Sequence, residues 1–573
     1  MPVPNKHNTM LDTRIIKSLR QLVYENAELY GDLPVYTYKK NKVLTDYTYN
    51  EMKENVDAVG TALSALGLSG ATVAVVGEAN PAYMTVFYAV QIGGGIIIPL
   101  DKEVADEEAV KFLNIGKVEA IIWMPGQDGR FPKYAEQLPM VKYFIPVSGD
   151  PSAAVLGDKY LSYEALIEMG KDRIENGNTA FLDHEDDVNA VSTIIFTSGT
   201  TGTSKGVMLC QRNFCCAVMG ACWKMDYFHS GMKLVSVLPM NHTYELTASQ
   251  MASQYFGTQT YLNESLKYAS KNIREFHPDA LPVVPLFVET MYKKIWDEIR
   301  KKGMEKQVRF AIRMSNGMSK VGIKLQEKLF GDILAALGGN LTAIICGGAK
   351  VNPQYIKDFK SFGIVIQEGY GITECSPLVA VNQRGKERLG SVGTPIPGCE
   401  VKIDKTNPDD ETGEVLVKGD NVMLGYYENE EATKEVFTED GWFRTGDVGY
   451  LDKDGYLYLT GRKKNVIILS NGKNVFPEEL EEHLEKIPYV KECAVIGRVK
   501  EEGEPTITAL IFPNRDLPEL KDKTEEEIYA LVYAAVDEIN RSLPTYKQMH
   551  EVELRAEEFE KTTTLKIKRY KLK

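Results

Sequence analysis

The chain has 573 residues, 43% hydrophobic and 26% charged, the balance of an ordinary globular protein with room for roughly three or four domains, or two large ones. A formal net charge of −13 excludes broad nucleic-acid binding and leaves room only for a local basic face. No apolar run reaches the roughly 18 residues of a membrane span, and the first ten residues carry no apolar signal core, so a cytoplasmic chain is expected.

Residues 14–67 show helical patterning around Leu19, Leu22, Val23 and Leu29, and again around Met52, Val56 and Val59. A strand candidate, Pro34-Val-Tyr-Thr-Tyr38, lies between them. The run 71–77 is of buried-strand type. Asn80-Pro81 then reads as a helix N-cap followed by proline at the first helical position, opening a helix over 82–92. Gly93-Gly-Gly-Ile-Ile-Ile-Pro-Leu100 returns to strand, and a similar cycle recurs over 110–123 and 141–147. Strand–helix–strand alternation of this kind predicts parallel α/β layers.

The apolar run Val191-Ser-Thr-Ile-Ile-Phe196 leads into Thr197-Ser-Gly-Thr-Thr-Gly-Thr-Ser-Lys-Gly-Val207. Glycine lets backbone N–H groups approach an anion, hydroxyls donate hydrogen bonds and lysine supplies countercharge, so the composition suits a polyphosphate. The Walker spacing fails, because Ser204 stands where its second glycine belongs and Gly206 follows Lys205. A phosphate loop of another kind is predicted; the plainer alternative is a polar surface loop.

A helix over 211–226 and a strand over 234–239 follow. Asn241-His242-Thr-Tyr244-Glu245 then falls at a strand's C-terminal end, where open α/β sheets present ligands, so His242 is a candidate, functional or structural. The stretch 285–330 holds eleven Lys/Arg against five Asp/Glu, net +6, with apolar positions at helical spacing. It reads either as a solvated helix face or as a basic patch for an anionic membrane or phosphorylated partner. Ala343-Ile-Ile-Cys-Gly-Gly-Ala349 and Ile364-Val-Ile-Gln-Glu-Gly-Tyr-Gly-Ile-Thr-Glu374 are further strands ending in glycine and polar groups. Three such ends converging would make a nucleotide pocket.

From 398 to 461 short strands and turn signals such as Asp452-Lys-Asp-Gly455 predict a β-rich subdomain. Gly461-Arg-Lys-Lys-Asn465 is a polar joint. The organisation expected is a large domain over 1–461, a hinge over 462–464, and a compact α+β domain over 465–573 with a basic tail. Eight cysteines are scattered with no Cys-x-x-Cys pair, so free buried thiols are expected rather than a zinc site.

Six segments resemble, in order, those of the adenylate-forming superfamily of acyl-CoA synthetases, firefly luciferase and nonribosomal-peptide adenylation domains. They are the 197–207 loop, Gly347-Gly-Ala349, Tyr370-Gly-Ile-Thr-Glu374, Gly441-Trp-Phe-Arg-Thr-Gly-Asp447, Gly461-Arg462-Lys-Lys464 and the tail 561–569. Together they span essentially the whole chain. Val284-Pro-Leu-Phe287 with the basic insert, and Ser470-Asn-Gly-Lys-Asn-Val-Phe-Pro-Glu-Glu479, are most similar to the long-chain fatty acyl-CoA synthetase branch.

The resemblance implies a layered α/β domain with a mobile α+β C-terminal domain. It implies that a carboxylate, here a medium- or long-chain fatty acid, attacks Mg2+-ATP to give acyl-AMP and pyrophosphate, after which coenzyme A displaces AMP. Thr197, Ser198, Gly199, Thr200, Thr201 and Lys205 would hold the β- and γ-phosphates, Glu374 the magnesium and Thr373 the α-phosphate. Gly347, Gly348 and Ala349, with Glu368, Gly369 and Tyr370, would form the adenine slot, and Gly371 would also bind the nucleotide. Asp447 would take the ribose hydroxyls, assisted by Arg462. Lys566 would bridge carboxylate and phosphate in the first step, His242 would stand at the acyl entrance, Lys464 would be the hinge, and Ser470, Gly472 and Lys473 would line the pantetheine channel. The sequence departs from the family at Glu560 and Leu565, where the tail has Pro and Gly, and at Thr243-Tyr244-Glu245 after the entrance histidine. An acyl-AMP or acyl-carrier-protein ligase, or a nucleotide-binding scaffold without turnover, stays open. A homodimer is compatible with the sequence, which does not give the oligomeric state.

Overall fold

The computed structural model describes residues 14–40, 42–197, 204–319, 325–469, 474–498, 505–561 and 567–572. It is mixed α/β, with a large N-terminal part and a smaller C-terminal one. A seven-stranded sheet runs in the order Gly425–Tyr426, Lys205–Cys210, Val191–Thr197, Ile96–Leu100, Thr72–Val76, Ala120–Trp123, Tyr143–Pro146. A nine-stranded sheet runs Thr394–Pro395, Leu378–Val381, Val365–Gly371, Ala343–Gly347, Ala280–Val283, Lys233–Ser236, Gln259–Leu262, Pro34–Lys40, Val43–Thr48. The central pairings of both sheets are parallel; antiparallel strands occupy both edges of the nine-stranded sheet and one edge of the seven-stranded sheet, whose other edge, Tyr143–Pro146, pairs parallel.

Two helices lie in the largest core together with residues of both sheets, Val73 and Ile97 from one and Ala343 and Val379 from the other. Every residue of Pro81–Ile92 is buried, and Gln211–Lys224 is buried along most of its length. A helix that is apolar all round has no face to offer water, so burial between layers is its stable position. Its entry is as expected: the Asn80 side chain accepts from the Ala82 N–H at 3.0 Å, with Pro81 at the first turn. Helix Tyr163–Glu175 crosses Tyr49–Ala65 so closely that a Cβ on Gly170 would fall 1.9 Å from the Ala58 carbonyl oxygen.

The second core packs the outer face of the nine-stranded sheet against the basic stretch, which forms helices Pro285–Lys301 and Glu305–Ser319 and the start of Gln326–Ala336. The helix expected over 211–226 ends at Lys224, where the Met225 N–H closes on the Cys222 carbonyl. The strand expected over 234–239 is Lys233–Ser236, and the chain enters a wide-turn helix at Tyr244–Met251. All eight cysteines are buried and free.

A four-stranded antiparallel sheet, Cys399–Asp404, Gly413–Gly419, Phe443–Leu451 and Leu457–Arg462, forms the β-rich part. After the turn Lys463–Asn465, a three-stranded sheet (Val490–Arg498, Thr506–Pro513, Glu551–Leu554) packs with helices Pro477–Leu484 and Glu525–Ser542 around its own core. Among the described residues no helix is long and apolar enough to cross a membrane.

Candidate active site

Three of the predicted strand ends face one region. Val191–Thr197 and Lys205–Cys210 are antiparallel neighbours with Thr197 opposite Lys205, and the Thr197 hydroxyl donates to the Lys205 carbonyl at 3.4 Å. Ser198, Gly199, Thr200 and Thr201 lie outside the described residues. The Lys205 ammonium stands 4.7 Å from the centre of the Tyr426 ring. The Tyr426 hydroxyl donates to Glu374 Oε1 at 3.0 Å. Burial, with the Glu374 charge beside it, holds that hydroxyl protonated. One aromatic side chain therefore links the loop lysine to the carboxylate expected to hold the metal. A carboxylate near a lysine suits Mg2+, a hard ion that takes few protein ligands and completes its shell with phosphate and water.

Ala343–Gly347 and Val365–Gly371 run parallel, with Gly347 opposite Gly369. Glycine is required at 371, where a Cβ would sit 2.1 Å from the Pro377 carbonyl oxygen. Gly348 and Ala349 are exposed just beyond the strand, as a slot wall needs. Glu368 is buried, its carboxylate 3.4 Å from the Val351 N–H. Burial pushes its acid up to about 7, against the opposing pull of that N–H and of Lys350. The Tyr370 hydroxyl donates to Asp447 Oδ2 at 2.5 Å, and Arg462 Nε meets Asp447 Oδ1 at 2.7 Å. Asp447 and Arg462 are register partners on adjacent strands, and the Asp447 N–H is taken by the Thr445 hydroxyl at 3.0 Å. A buried carboxylate gripped by Tyr370 from the nine-stranded sheet and by Arg462 from its own four-stranded sheet can accept further hydrogen bonds only in a fixed direction. Thr373 opens the short turn Thr373–Cys375, directly before Glu374.

The departure at Thr243-Tyr244-Glu245 forms its own local structure, while Leu565 lies outside the described residues. Tyr244 turns toward the strand ends, donating to the Ile345 carbonyl at 2.9 Å, with its ring 3.7 Å from where a Gly347 Cβ would be. Glu245 is fully buried, accepting from Ser236 at 2.5 Å and Gln250 at 2.6 Å, and burial raises its acid to about 7. His242 is half-buried at the head of this helix, its carbonyl accepting from the Leu246 N–H.

Lys464 occupies the turn after Arg462, and its neighbour Lys463 is held by Glu414 at 2.8 Å. Ser470, Gly472, Lys473 and Lys566 lie outside the described residues. On either side of the last, Lys561 pairs with Glu492 and Arg569 with Glu481. Tyr426 joins the site without any sequence signal, because only sheet pairing brings it there, whereas Lys350 directly follows Ala349 and the sequence reading did not single it out.

Residues 23–427 match the family described as AMP-binding enzyme, and residues 464–572 match the AMP-binding enzyme C-terminal domain. The long-chain-fatty-acid–CoA ligase FadD15 of Mycobacterium bovis is 28% identical over 585 residues, covering 96% of this chain and 94% of that protein. The peroxisomal long chain acyl-CoA synthetase 6 of Arabidopsis thaliana is 30% identical, over 81% of this chain and 70% of that protein. The chloroplastic long-chain-fatty-acid–acyl-carrier-protein ligase AEE15 of the same plant is 25% identical, over 88% and 78%. The crystal structure of the anthranilate CoA ligase AuaEII with anthranoyl-AMP superposes with a TM-score of 0.77 at 20% identity, covering 98% of both chains.

Proposed function

The chain belongs to the AMP-binding enzyme family, and from that premise we propose that it is a fatty-acid–CoA ligase. It activates a medium- or long-chain fatty acid to acyl-AMP with release of pyrophosphate, then passes the acyl group to coenzyme A. The observation that carries this reading is the convergence of Lys205, Tyr426 and Glu374 with Tyr370, Asp447 and Arg462 around the same strand ends. A scaffold has no use for two separately braced carboxylates, one beside the loop lysine and one beside an arginine.

On this reading Lys205 and the 197–201 groups hold the β- and γ-phosphates while Thr373 contacts the α-phosphate. Asp447, aimed by the Tyr370 hydroxyl and Arg462, accepts from both ribose hydroxyls, and the glycines of 347–348 and 369–371 let adenine approach the backbone. Mg2+ bound at Glu374 would neutralise phosphate charge. Lys566 bridges the attacking carboxylate and the α-phosphate, an electrostatic role. His242 stands at the acyl entrance. The C-terminal domain turns about 462–464 between steps, bringing Ser470, Gly472 and Lys473 to the thiol channel. We place the large domain at 1–461 and the mobile one at 465–573.

A panel of acids from acetate to oleate, with pyrophosphate release measured, is expected to show turnover rising into the medium- to long-chain range. No release with any carboxylate would reject the reading. A second reading is favoured by one relative, which is named an acyl-carrier-protein ligase. Offering free coenzyme A against acyl carrier protein separates the two, and acyl-CoA formed with the free thiol decides for the ligase proposed first.

We also assign 285–330 as a face for anionic membrane on an otherwise cytoplasmic protein. Val288, Met291, Ile295 and Ile299 are buried, so one side of the first helix is core. On the next helix Phe310 is 66% exposed and Met314 37%, flanked by exposed Lys306 and Arg313. Four other basic side chains pair within their own helices (Lys293, Arg300, Lys301 and Arg309), which dilutes the net charge but not this apolar face. Co-sedimentation with anionic vesicles is expected, weakening with salt and with Phe310→Ser; binding indifferent to both would overturn the assignment.

A further inference from the structure

Lys350 follows the adenine-slot residues 347–349 directly and faces a carboxylate on each side of the domain boundary. Its ammonium lies 2.5 Å from Glu482 Oε2, on helix Pro477–Leu484 of the C-terminal domain. On the other side it bears on Glu368, the buried acid of the slot, whose carboxylate also meets the N–H of Val351, the residue after Lys350. We propose that Lys350 is a positioning residue of the reaction, tying the nucleotide loop to the C-terminal domain through Glu482 and holding that domain in the orientation seen here. The proposal rests on the ligase reading above and adds to it the residue that couples the slot to the moving part.

The charges around the contact give the reason. The large domain presents Glu289 and Glu368, and the C-terminal domain presents Glu482 and, at the helix C-cap, Glu485. Glu289 bears on Glu485 with the same sign, and Lys350 is the cation from the large domain that offsets it. Lys486 also approaches Glu482, at 3.6 Å, but it belongs to the same domain and travels with it. Without Lys350 this boundary sets carboxylate against carboxylate. At the hinge end the packing is steric: a Cβ on Gly461 would fall 2.6 Å from Glu478 Oε2, and Asn465 donates to Glu478 Oε1 at 2.6 Å. Rotation about 462–464 can preserve those near-axis contacts while it must break Lys350–Glu482. The pair is half-exposed, with side-chain exposures of 51% and 29%, so it biases an equilibrium rather than locking it.

The test uses the full chain with Lys350→Glu, Glu482→Lys, the double exchange, and Lys350→Arg. Three readouts are taken: fatty-acid-dependent pyrophosphate release, thioester formation from supplied acyl-AMP, and energy transfer between dyes on the two domains without substrate. Each single reversal is expected to move the ratio of the two half-reactions in the same direction, by about three- to ten-fold at low salt, and less at high salt. The double exchange and Lys350→Arg are expected to restore the ratio to within about two-fold, within the worth of an exposed pair. Equal loss of both half-reactions, an unmoved ratio, or an exchange that restores nothing would overturn the proposal. If the unaltered protein performs neither half-reaction the ligase reading fails, and the dye signal still decides whether Lys350 and Glu482 set the domain orientation.

Discussion

Lys566→Ala is expected to reduce acyl-adenylate formation by about 10²–10³-fold while leaving thioester formation from supplied acyl-AMP nearly unchanged. The magnitude is that of removing one preorganised charge from a developing anion. The asymmetry follows from what meets in each step. In the first, a carboxylate must approach a polyphosphate, and a cation between them both screens the repulsion and stabilises charge on the α-phosphate oxygens. In the second, the nucleophile is a thiol and the leaving group an already formed AMP, so the same lysine has no pair of anions to reconcile. Lys205 offers the contrast: on the proposed reading it holds the leaving pyrophosphate, so its loss is expected to weaken ATP binding together with the first step. Measuring the two half-reactions separately checks this, and equal loss in both would show that Lys566 does not alternate with the thiol channel.

Parallel α/β layers were legible because the strands are short apolar runs, several of which meet glycine at their ends (Gly77, Gly347, Gly371), and because Asn80-Pro81 announces its helix with a cap the backbone then uses. Thr197, Glu368 and Tyr370 stand on or at the ends of expected strands for the same reason, whereas Lys205 begins an unexpected strand, Lys205–Cys210, and Glu374 lies in the turn Thr373–Cys375 beyond a strand that stops at Gly371. The bracing between them was not. Tyr426 reaches Glu374 across 52 residues only because Gly425–Tyr426 adds as an edge strand beside Lys205–Cys210. Tyr370 meets Asp447 across 77 residues because two different sheets abut there. Neither contact leaves a periodicity or a local spacing, since both depend on how separate units pack. The substitution of Thr243-Tyr244-Glu245 was visible, but its outcome, a tyrosine on the strand ends and a buried acid, depends on Ser236 and Gln250. The helix Glu525–Ser542 went unread although its signals are local: Thr524 and Glu527 form a capping box, and Ile528, Val532 and Val536 repeat at helical spacing.

Arg569→Met is expected to destabilise the C-terminal domain by about 3–5 kcal/mol, the cost of breaking a buried ion pair by removing one partner. Glu481 is 8% exposed, and its two oxygens are divided between elements. Oε1 accepts from the Val495 N–H at 2.6 Å and Oε2 takes the Arg569 guanidinium, which also donates to the Val495 carbonyl at 3.2 Å. Arg569 thus closes the helix Pro477–Leu484 onto the edge strand Val490–Arg498 of its domain's three-stranded sheet. Burial pushes the Glu481 acid up and Arg569 pulls it back, so removing the guanidinium leaves a buried carboxylate that must take up a proton or draw in water. At roughly 4 °C per kcal/mol or more for a unit of this size, the C-terminal transition should fall by at least about 10 °C in a thermal scan of the full chain. The double variant Arg569→Met/Glu481→Leu separates charge from packing, because replacing both partners with apolar groups removes the stranded carboxylate and is expected to recover much of the loss. A single variant melting within about 2 °C of the parent would mean that solvent screens the pair as it does a surface contact. Because Arg569 and the Lys561–Glu492 pair hold the chain on both sides of 562–566, the same variant should slow adenylation more than thioester formation at temperatures where the domain is still folded.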